Sequence, residues 1–124
     1  MRKYRKALTF SYDDGQIFDR RLVDIFNKYN LKATFKTGSF GTVNPAILWE
    51  QKLSENIEGV YINRMKQEGL EELYRGHEIA THGLTHAAPT GMTKEQLDKE
   101  FLTDMSNIER IYGTYPVGMA YAYG

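Results

Sequence analysis

Residues 7–15 read ALTFSYDDG, and apolar side chains recur at every second position as far as Tyr12. This period of two predicts a β-strand over Ala7–Tyr12 with one buried face. The alternation then stops at two adjacent carboxylates, Asp13 and Asp14, followed by glycine. The stretch therefore predicts a strand that carries a polar site at its carboxyl end.

Strand patterns and helix patterns alternate outward from this stretch. The predicted strands are Ala7–Tyr12, Ala33–Thr37, Glu78–Thr81 and Val117–Tyr121. The predicted helices run from Phe18 to a left-handed stop at Asn30, from Leu70 to Gly76, and from a Thr93–Gln96 capping box to Gly113, with an apolar stripe of Leu97, Phe101, Met105, Ile108 and Tyr112. Residues 38–43 indicate a loop before a helix start at Asn44-Pro45, and 47–61 fit no pattern. This rhythm predicts an α/β fold with a parallel sheet, either open or closing into a barrel.

Composition bounds the class of protein. The 124 residues predict a single domain over 1–124, and 41% hydrophobic and 26% charged residues are typical of a globular protein. Sixteen basic and sixteen acidic residues cancel, which argues against nucleic acid or an anionic membrane as partner and suits a neutral substrate. With no cysteine, disulfides and thiolate ligands are excluded. No segment is apolar for long enough to span a membrane or form a signal-peptide core. The expected location is cytoplasmic as written, or extracellular or at the cell envelope if an export signal was removed.

Two histidines follow the third predicted strand as the two carboxylates follow the first. His82 and His86 are four residues apart, and the carboxyl ends of parallel strands gather at one edge of a sheet. Two imidazoles and two carboxylates can hold a divalent metal with a base beside it. Taken singly, Asp-Asp-Gly is also an ordinary turn and such histidines are also surface or core residues. His77, in the turn before the strand, is predicted to be structural.

The motifs resemble those of the polysaccharide deacetylase (NodB homology) family. Ser11-Tyr12-Asp13-Asp14-Gly15 is similar to its Thr/Ser-Phe/Tyr-Asp-Asp-Gly motif, and residues 82–86, HGLTH, are similar to its His-Ser/Thr-x-x-His motif, with Gly83 in place of Ser or Thr. The segment 76–80, GHEIA, resembles the lead into the second motif. The resemblance covers about residues 6–124 and implies a distorted, partial (β/α) barrel with fewer than eight parallel strands.

The resemblance also implies a set of roles. Asp14, His82 and His86 would be the ligands of Zn²⁺, or of another divalent metal such as Co²⁺, Ni²⁺ or Mn²⁺. Three protein ligands leave a position for a water whose pKa the metal lowers. Asp13 would be the general base, and the backbone N–H of Tyr123 would stabilise the oxyanion. The implied activity is hydrolytic release of acetyl groups from N-acetylated or O-acetylated sugars or polysaccharides.

The sequence departs from the family pattern near its end. The family's third motif commonly reads Phe-Arg-Pro-Pro-Tyr-Gly, whereas residues 119–124 read MAYAYG, so Ala120 stands where an arginine would orient the base. The segment with the family's general-acid histidine has no counterpart here. The chain is therefore expected to be the N-terminal portion of a catalytic domain, with activity impaired by truncation and a tendency to form homo-oligomers through an open barrel edge.

Other functions remain open from the residues alone. Two histidines and one carboxylate also form the iron site of non-haem oxygenases, although that chemistry would leave Asp13 without a role. A zinc protease is disfavoured because Gly83 stands where His-Glu-x-x-His needs glutamate. A non-catalytic carbohydrate-binding or structural remnant is the third alternative. The later tyrosines could stack on sugar rings or simply pack. Peptidoglycan, chitin oligomers, other acetylated glycans and small amides all fit as substrates.

Overall fold

Three parallel strands form the sheet in the part of the protein described by the computed structural model, residues 6–36 and 69–124. The elements in chain order are β1 Ser11–Asp13, α1 Asp19–Lys28, β2 Thr34–Lys36, α2 Leu70–Leu73, β3 Glu78–Ala80 and α3 Lys94–Tyr112. The α/β class with parallel strands is confirmed, and the sheet is open. The predicted loop over 38–43, the helix start at Asn44-Pro45 and the segment 47–61 lie outside the described residues.

The strands lie in the order β1-β2-β3, and their register aligns their carboxyl ends. Asp13 pairs with Lys36, and Lys36 pairs with Ala80. The residues that follow β1 and β3 therefore leave the sheet at the same edge. This alignment is what brings the predicted site residues together.

The core lies between β2 and the helices. Phe35 in the middle strand is fully buried, and its ring centroid lies 4.8 Å from that of Tyr74. Val23 and Phe26 on α1 and Ile108 on α3 complete the centre of this cluster. Burial of each large apolar side chain stabilises the fold by about 1.5–3 kcal/mol, so this cluster fixes the helices against the sheet.

The helix ends follow the sequence signals. Asn30, just beyond α1, adopts a positive φ of 53°. Thr93 and Gln96 form the predicted capping box at the start of α3. Gly113 ends α3 in the left-handed conformation with φ 69°, which a residue without a Cβ adopts at no steric cost. Among residues 6–36 and 69–124, no helix combines the length and hydropathy that a membrane crossing requires.

The fourth strand predicted over Val117–Tyr121 is wrong. The segment makes only an isolated bridge, between Thr81 and Met119. Thr81 donates its N–H to the Gly118 carbonyl and accepts from the Ala120 N–H, both at 3.0 Å. The alternating apolar side chains of this segment are exposed, so no buried face favours a longer strand register.

The first strand is shorter than predicted. Regular pairing begins at Ser11, although the Phe10 carbonyl already accepts from the Thr34 N–H at 3.0 Å. Leu8 is 79% exposed. The buried face of the strand therefore begins at Phe10, which packs against Phe26 with ring centroids 5.0 Å apart, and does not include Leu8.

Candidate metal centre

Asp14, His82 and His86 converge at the carboxyl edge of the sheet. The Asp14 Oδ1 atom lies 3.6 Å from His82 Nε2 and 3.3 Å from His86 Nε2. One ligand atom of each residue lies within 4.8 Å of the other two, the only such group of three found in the described residues. Asp14 Oδ1 is shielded from solvent. The structure thus brings together the three residues predicted as metal ligands. Asp14, His82 and His86 form the ligand cluster.

The spacing of these atoms fits a divalent metal. Around a tetrahedral ion with ligands at 2.0–2.2 Å, neighbouring ligand atoms lie about 3.4 Å apart. The two distances from Asp14 Oδ1, 3.3 and 3.6 Å, bracket this value. Two imidazole nitrogens and one carboxylate oxygen suit zinc and its neighbours in the first transition row.

His82 is fixed in the orientation that ligation needs. It is 4% exposed, and its Nδ1 lies 3.1 Å from the carbonyl oxygen of Ala120. Since a carbonyl only accepts hydrogen bonds, Nδ1 carries the proton. In the neutral ring, Nε2 then presents its lone pair toward Asp14, as outer hydrogen bonds arrange for ligating histidines.

Two buried carboxylates of α3 hold the histidine loop, residues 81–86. Asp104 is fully buried and accepts hydrogen bonds from the Thr81 hydroxyl and, at 3.3 Å, from the His82 N–H. Glu100 is 6% exposed and accepts from the N–H of Thr85 at 2.8 Å. The sequence prediction missed both residues because it followed the apolar stripe of α3. Their spacing could have revealed them: Glu100, Asp104 and the buried Ile108 follow one another at intervals of four and so lie on one face of α3.

The backbone of the loop explains Gly83. Its φ is +93°, and a Cβ built on it would lie 2.7 Å from Glu100 Oε1. That oxygen is already bonded to Thr85, so it cannot simply move aside. Glycine at this position lets the loop pass close to α3.

Positive φ angles cluster at the site. Asp14, His86 and Tyr123 have φ values of 77°, 56° and 66°. Among non-glycine residues of the described ranges, only Asn30, which ends a helix, shares this conformation. Such backbone costs energy and persists where the surroundings impose it, which is common at functional sites.

Asp13 precedes Asp14 in the chain, and its side chain is more exposed to solvent than that of Asp14. Its side chain is 46% exposed, and one oxygen, Oδ1, lies 2.7 Å from Lys36 Nζ. Asp13 also borders a cleft of about 410 Å³ that Tyr12, Phe18 and Leu22 help to line. The role of Asp13 as a general base stays a prediction.

The late tyrosines occupy different environments. Tyr112 is buried against Tyr74, with ring centroids 6.1 Å apart, and Tyr121 packs on Phe101 at 5.7 Å. Tyr123 is 77% exposed, and its ring meets His86 edge-on at 4.9 Å. Of these rings, that of Tyr123 lies at the ligand cluster.

His77 lies at the opposite end of β3 from the ligands. Its Nδ1 accepts from the Ala33 N–H at 3.3 Å, and its Nε2 lies 3.1 Å from Asn27 Oδ1. Burial, and secondarily the charge of Lys32, hold the pKa of His77 below its usual range. These contacts agree with the predicted structural role.

Asp19 is a buried carboxyl that the sequence prediction did not single out. It is 6% exposed and accepts a hydrogen bond of 2.6 Å from the Tyr74 hydroxyl. Burial raises its pKa, the bond from Tyr74 opposes that rise, and the charge of Asp14 adds to it. The pair ties the start of α1 to the residue that follows α2.

Comparisons with known proteins agree with this architecture. The family model described as polysaccharide deacetylase matches residues 2–124. A comparison with curated protein sequences gave no match. The chain is similar in structure to the Streptococcus pyogenes deacetylase PplD in complex with acetate, with a TM-score of 0.70 and 18% identity over 98% of this chain and 48% of that chain.

Two carbohydrate esterases are also similar in fold. A family 4 acetyl xylan esterase from Clostridium thermocellum, in complex with a cobalt ion, has a TM-score of 0.64 and 22% identity over 92% of this chain and 47% of that one. A family 4 carbohydrate esterase from Streptomyces lividans, in complex with acetate, has a TM-score of 0.64 and 20% identity over 97% and 53%. The chain spans about half the length of these structures. Since the family model covers nearly the whole sequence, the chain belongs to the polysaccharide deacetylase family.

Proposed function

We propose that this protein is a metal-dependent hydrolase that removes acetyl groups from N-acetylated or O-acetylated sugars or polysaccharides. The observation that carries the proposal is the cluster of Asp14, His82 and His86, whose ligand atoms lie within 4.8 Å of one another. Asp13 precedes Asp14 in the chain. Membership of the deacetylase family supports the reaction class. The acetylated carbohydrate would be neutral, in keeping with the balanced charge of the chain.

The proposed roles come from the family resemblance, and the grouping of Asp14, His82 and His86 supports the part that concerns the metal. Asp14, His82 and His86 would hold Zn²⁺ or another divalent ion such as Co²⁺, Ni²⁺ or Mn²⁺. A metal at this place would polarise the acetyl carbonyl and lower the pKa of water. Asp13, whose side chain is 46% exposed, would accept the proton of the attacking water. The N–H of Tyr123 donates to the oxygen that gains charge.

A non-catalytic carbohydrate-binding or structural role is the alternative. The sequence contains three histidines, two of which belong to the ligand cluster. The third, His77, is engaged by Ala33 and Asn27 at the far end of β3. His77 is therefore not placed to protonate a leaving group at this site.

An acetate-release assay separates these functions. Protein loaded with Zn²⁺ or Co²⁺ is incubated with chitin oligomers and with acetylated xylan, and acetate is quantified. We expect Asp13→Asn to lower the rate by about 10²-fold or more while metal content is unchanged, because a positioned base contributes that much. Asp24→Asn, an exposed carboxylate on α1, is the matched control and should retain the rate. Absence of acetate from metal-loaded wild type would reject the enzyme and leave the non-catalytic role.

A further inference from the structure

Lys36 contacts both carboxylate residues of the site. Its Nζ lies 2.7 Å from Asp13 Oδ1, and its backbone carbonyl accepts from the Asp14 N–H at 3.1 Å. Lys36 and Asp13 are also register partners, at the last positions of β2 and β1. The side chain that reaches Asp13 is thus anchored in the middle strand of the sheet.

The environment of this pair differs from that of an ordinary surface ion pair. The Lys36 side chain is 18% exposed, whereas that of Lys94, which pairs with Asp98 on α3, is 88% exposed. A lysine this far withdrawn from water loses hydration, and an opposite charge within contact distance offsets that loss. The aliphatic part of the Lys36 side chain is confined by the strand and its neighbours, so pairing with Asp13 costs less conformational entropy.

The contact leaves Asp13 able to act. Lys36 engages Oδ1, so the carboxylate is held through one oxygen while its second oxygen stays available to accept a proton. A charge-assisted bond of this kind restricts the rotation of the Asp13 side chain more strongly than a neutral hydrogen bond does. Position 120, where the family pattern has an arginine that would orient the base, is alanine in this chain and has no charged group to hold Asp13.

We propose that Lys36 is the positioning residue of the general base, fixing the orientation of the Asp13 carboxylate through its ammonium group. The proposal rests on the proposed function for the role of Asp13, but the orientation of Asp13 is measurable by itself. Lys36, a residue of the middle strand, then positions Asp13 through its side chain and the neighbouring Asp14 through its backbone carbonyl.

The test compares Lys36→Met, which keeps the stem and removes the charge, with Lys36→Arg, which keeps the charge. We expect Lys36→Met to lower kcat for acetate release by about 10- to 100-fold, as misplacement of a reacting group does, with KM and metal content unchanged. Lys36→Arg should stay within about threefold of wild type. Lys94→Met, which removes the exposed ion pair on α3, should have no effect on kcat.

A double-mutant cycle links the effect to Asp13. In an Asp13→Asn background, Lys36→Met should lower kcat no further, because both changes act through the same group. An equal fall in both backgrounds would mean that Lys36 acts elsewhere and would overturn the proposal.

A second readout does not depend on turnover. Side-chain couplings of Asp13, measured by NMR on labelled protein, should report one χ1 rotamer in wild type and Lys36→Arg, and averaging in Lys36→Met. A single unchanged rotamer in Lys36→Met overturns the proposal. Averaging in Lys36→Met together with an inactive wild type would reject the proposed function but retain Lys36 as the residue that orients Asp13.

Discussion

Replacing Glu100 with alanine tests how the histidine loop is held over α3. One carboxylate oxygen of Glu100 accepts from the N–H and the hydroxyl of Thr85, at 2.8 and 3.1 Å, and the other accepts from the same hydroxyl at 2.9 Å. Because Glu100 is 6% exposed, water does not freely replace these bonds. The substitution therefore leaves the partly buried N–H and hydroxyl of Thr85 without this acceptor.

The size of the effect follows from those bonds. A buried N–H left unsatisfied costs about 1–3 kcal/mol, while the rotatable hydroxyl adds about 0.5–1.5 kcal/mol. Relief from burying a carboxylate offsets part of this sum, so we expect Glu100→Ala to lower the free energy of unfolding by about 2–3 kcal/mol. At about 2.1 cal/mol/K of unfolding entropy per residue, a chain of 124 residues loses about 4 °C of Tm per kcal/mol. The expected fall in Tm is about 8–12 °C.

Two variants serve as controls, each measured by thermal unfolding without metal and by calorimetric titration with Zn²⁺. Glu100→Gln keeps a carbonyl oxygen for the Thr85 N–H and should cost about 1 kcal/mol. Glu109→Ala, exposed on the same helix, should stay within about 0.5 kcal/mol of wild type. Glu100→Ala should also bind Zn²⁺ about tenfold more weakly, as loss of outer support for ligands does. If Glu100→Ala keeps the wild-type Tm and Zn²⁺ affinity, Glu100 does not support the histidine loop.

Three further predictions concern other parts of the structure. Gly83→Ala should cost about 1 kcal/mol more in unfolding free energy than Gly91→Ala, because both glycines have positive φ but only a Cβ at Gly83 meets another residue, Glu100 Oε1 at 2.7 Å; equal losses would show that the close approach carries no cost. The neutral form of His77 contributes stability that is fully present above its usual pKa of 6.5 and is lost as the pH falls through its lower folded value. In chelator-treated protein, His77→Gln should accordingly flatten the fall of Tm below pH 6.5, and an unchanged profile would contradict this. The exposed rings of Phe18 and Tyr29, at 62% and 64% exposure, favour self-association. Light scattering should therefore show homo-oligomers that Phe18→Ser with Tyr29→Ser reduces, whereas a monomeric wild type at all concentrations would dismiss this surface as an interface.

The site was predictable where strand order and spacing set it. Alternation up to Tyr12 and the parallel-sheet rhythm were enough to predict that residues 13–14 and 82–86 share one edge, since parallel strands align their carboxyl ends. What escaped prediction depends on contacts between distant elements. The support of the histidine loop by Glu100 and Asp104, and the Lys36 contact with Asp13, require knowledge of which helix face and which strand register meet the loop.

The incorrect strand has a similar cause. Residues 117–121 alternate as a strand does, but whether alternation becomes a strand depends on a neighbour that buries one face. Among the described residues, the segment pairs only at the isolated bridge between Thr81 and Met119, just beyond β3. Its more important contribution is the Ala120 carbonyl, which sets the tautomer of His82, a role that no local pattern reveals.

Calorimetric titration of chelator-treated protein with Zn²⁺ measures whether Asp14, His82 and His86 bind one metal ion. We expect about one ion per chain in wild type and in Asp24→Ala, an exposed control on α1. Asp14→Ala and His82→Ala should each weaken binding by about 10²-fold or more, since each removes one of three ligands. Equal stoichiometry and affinity in wild type, Asp14→Ala and His82→Ala would show that these residues do not bind the metal.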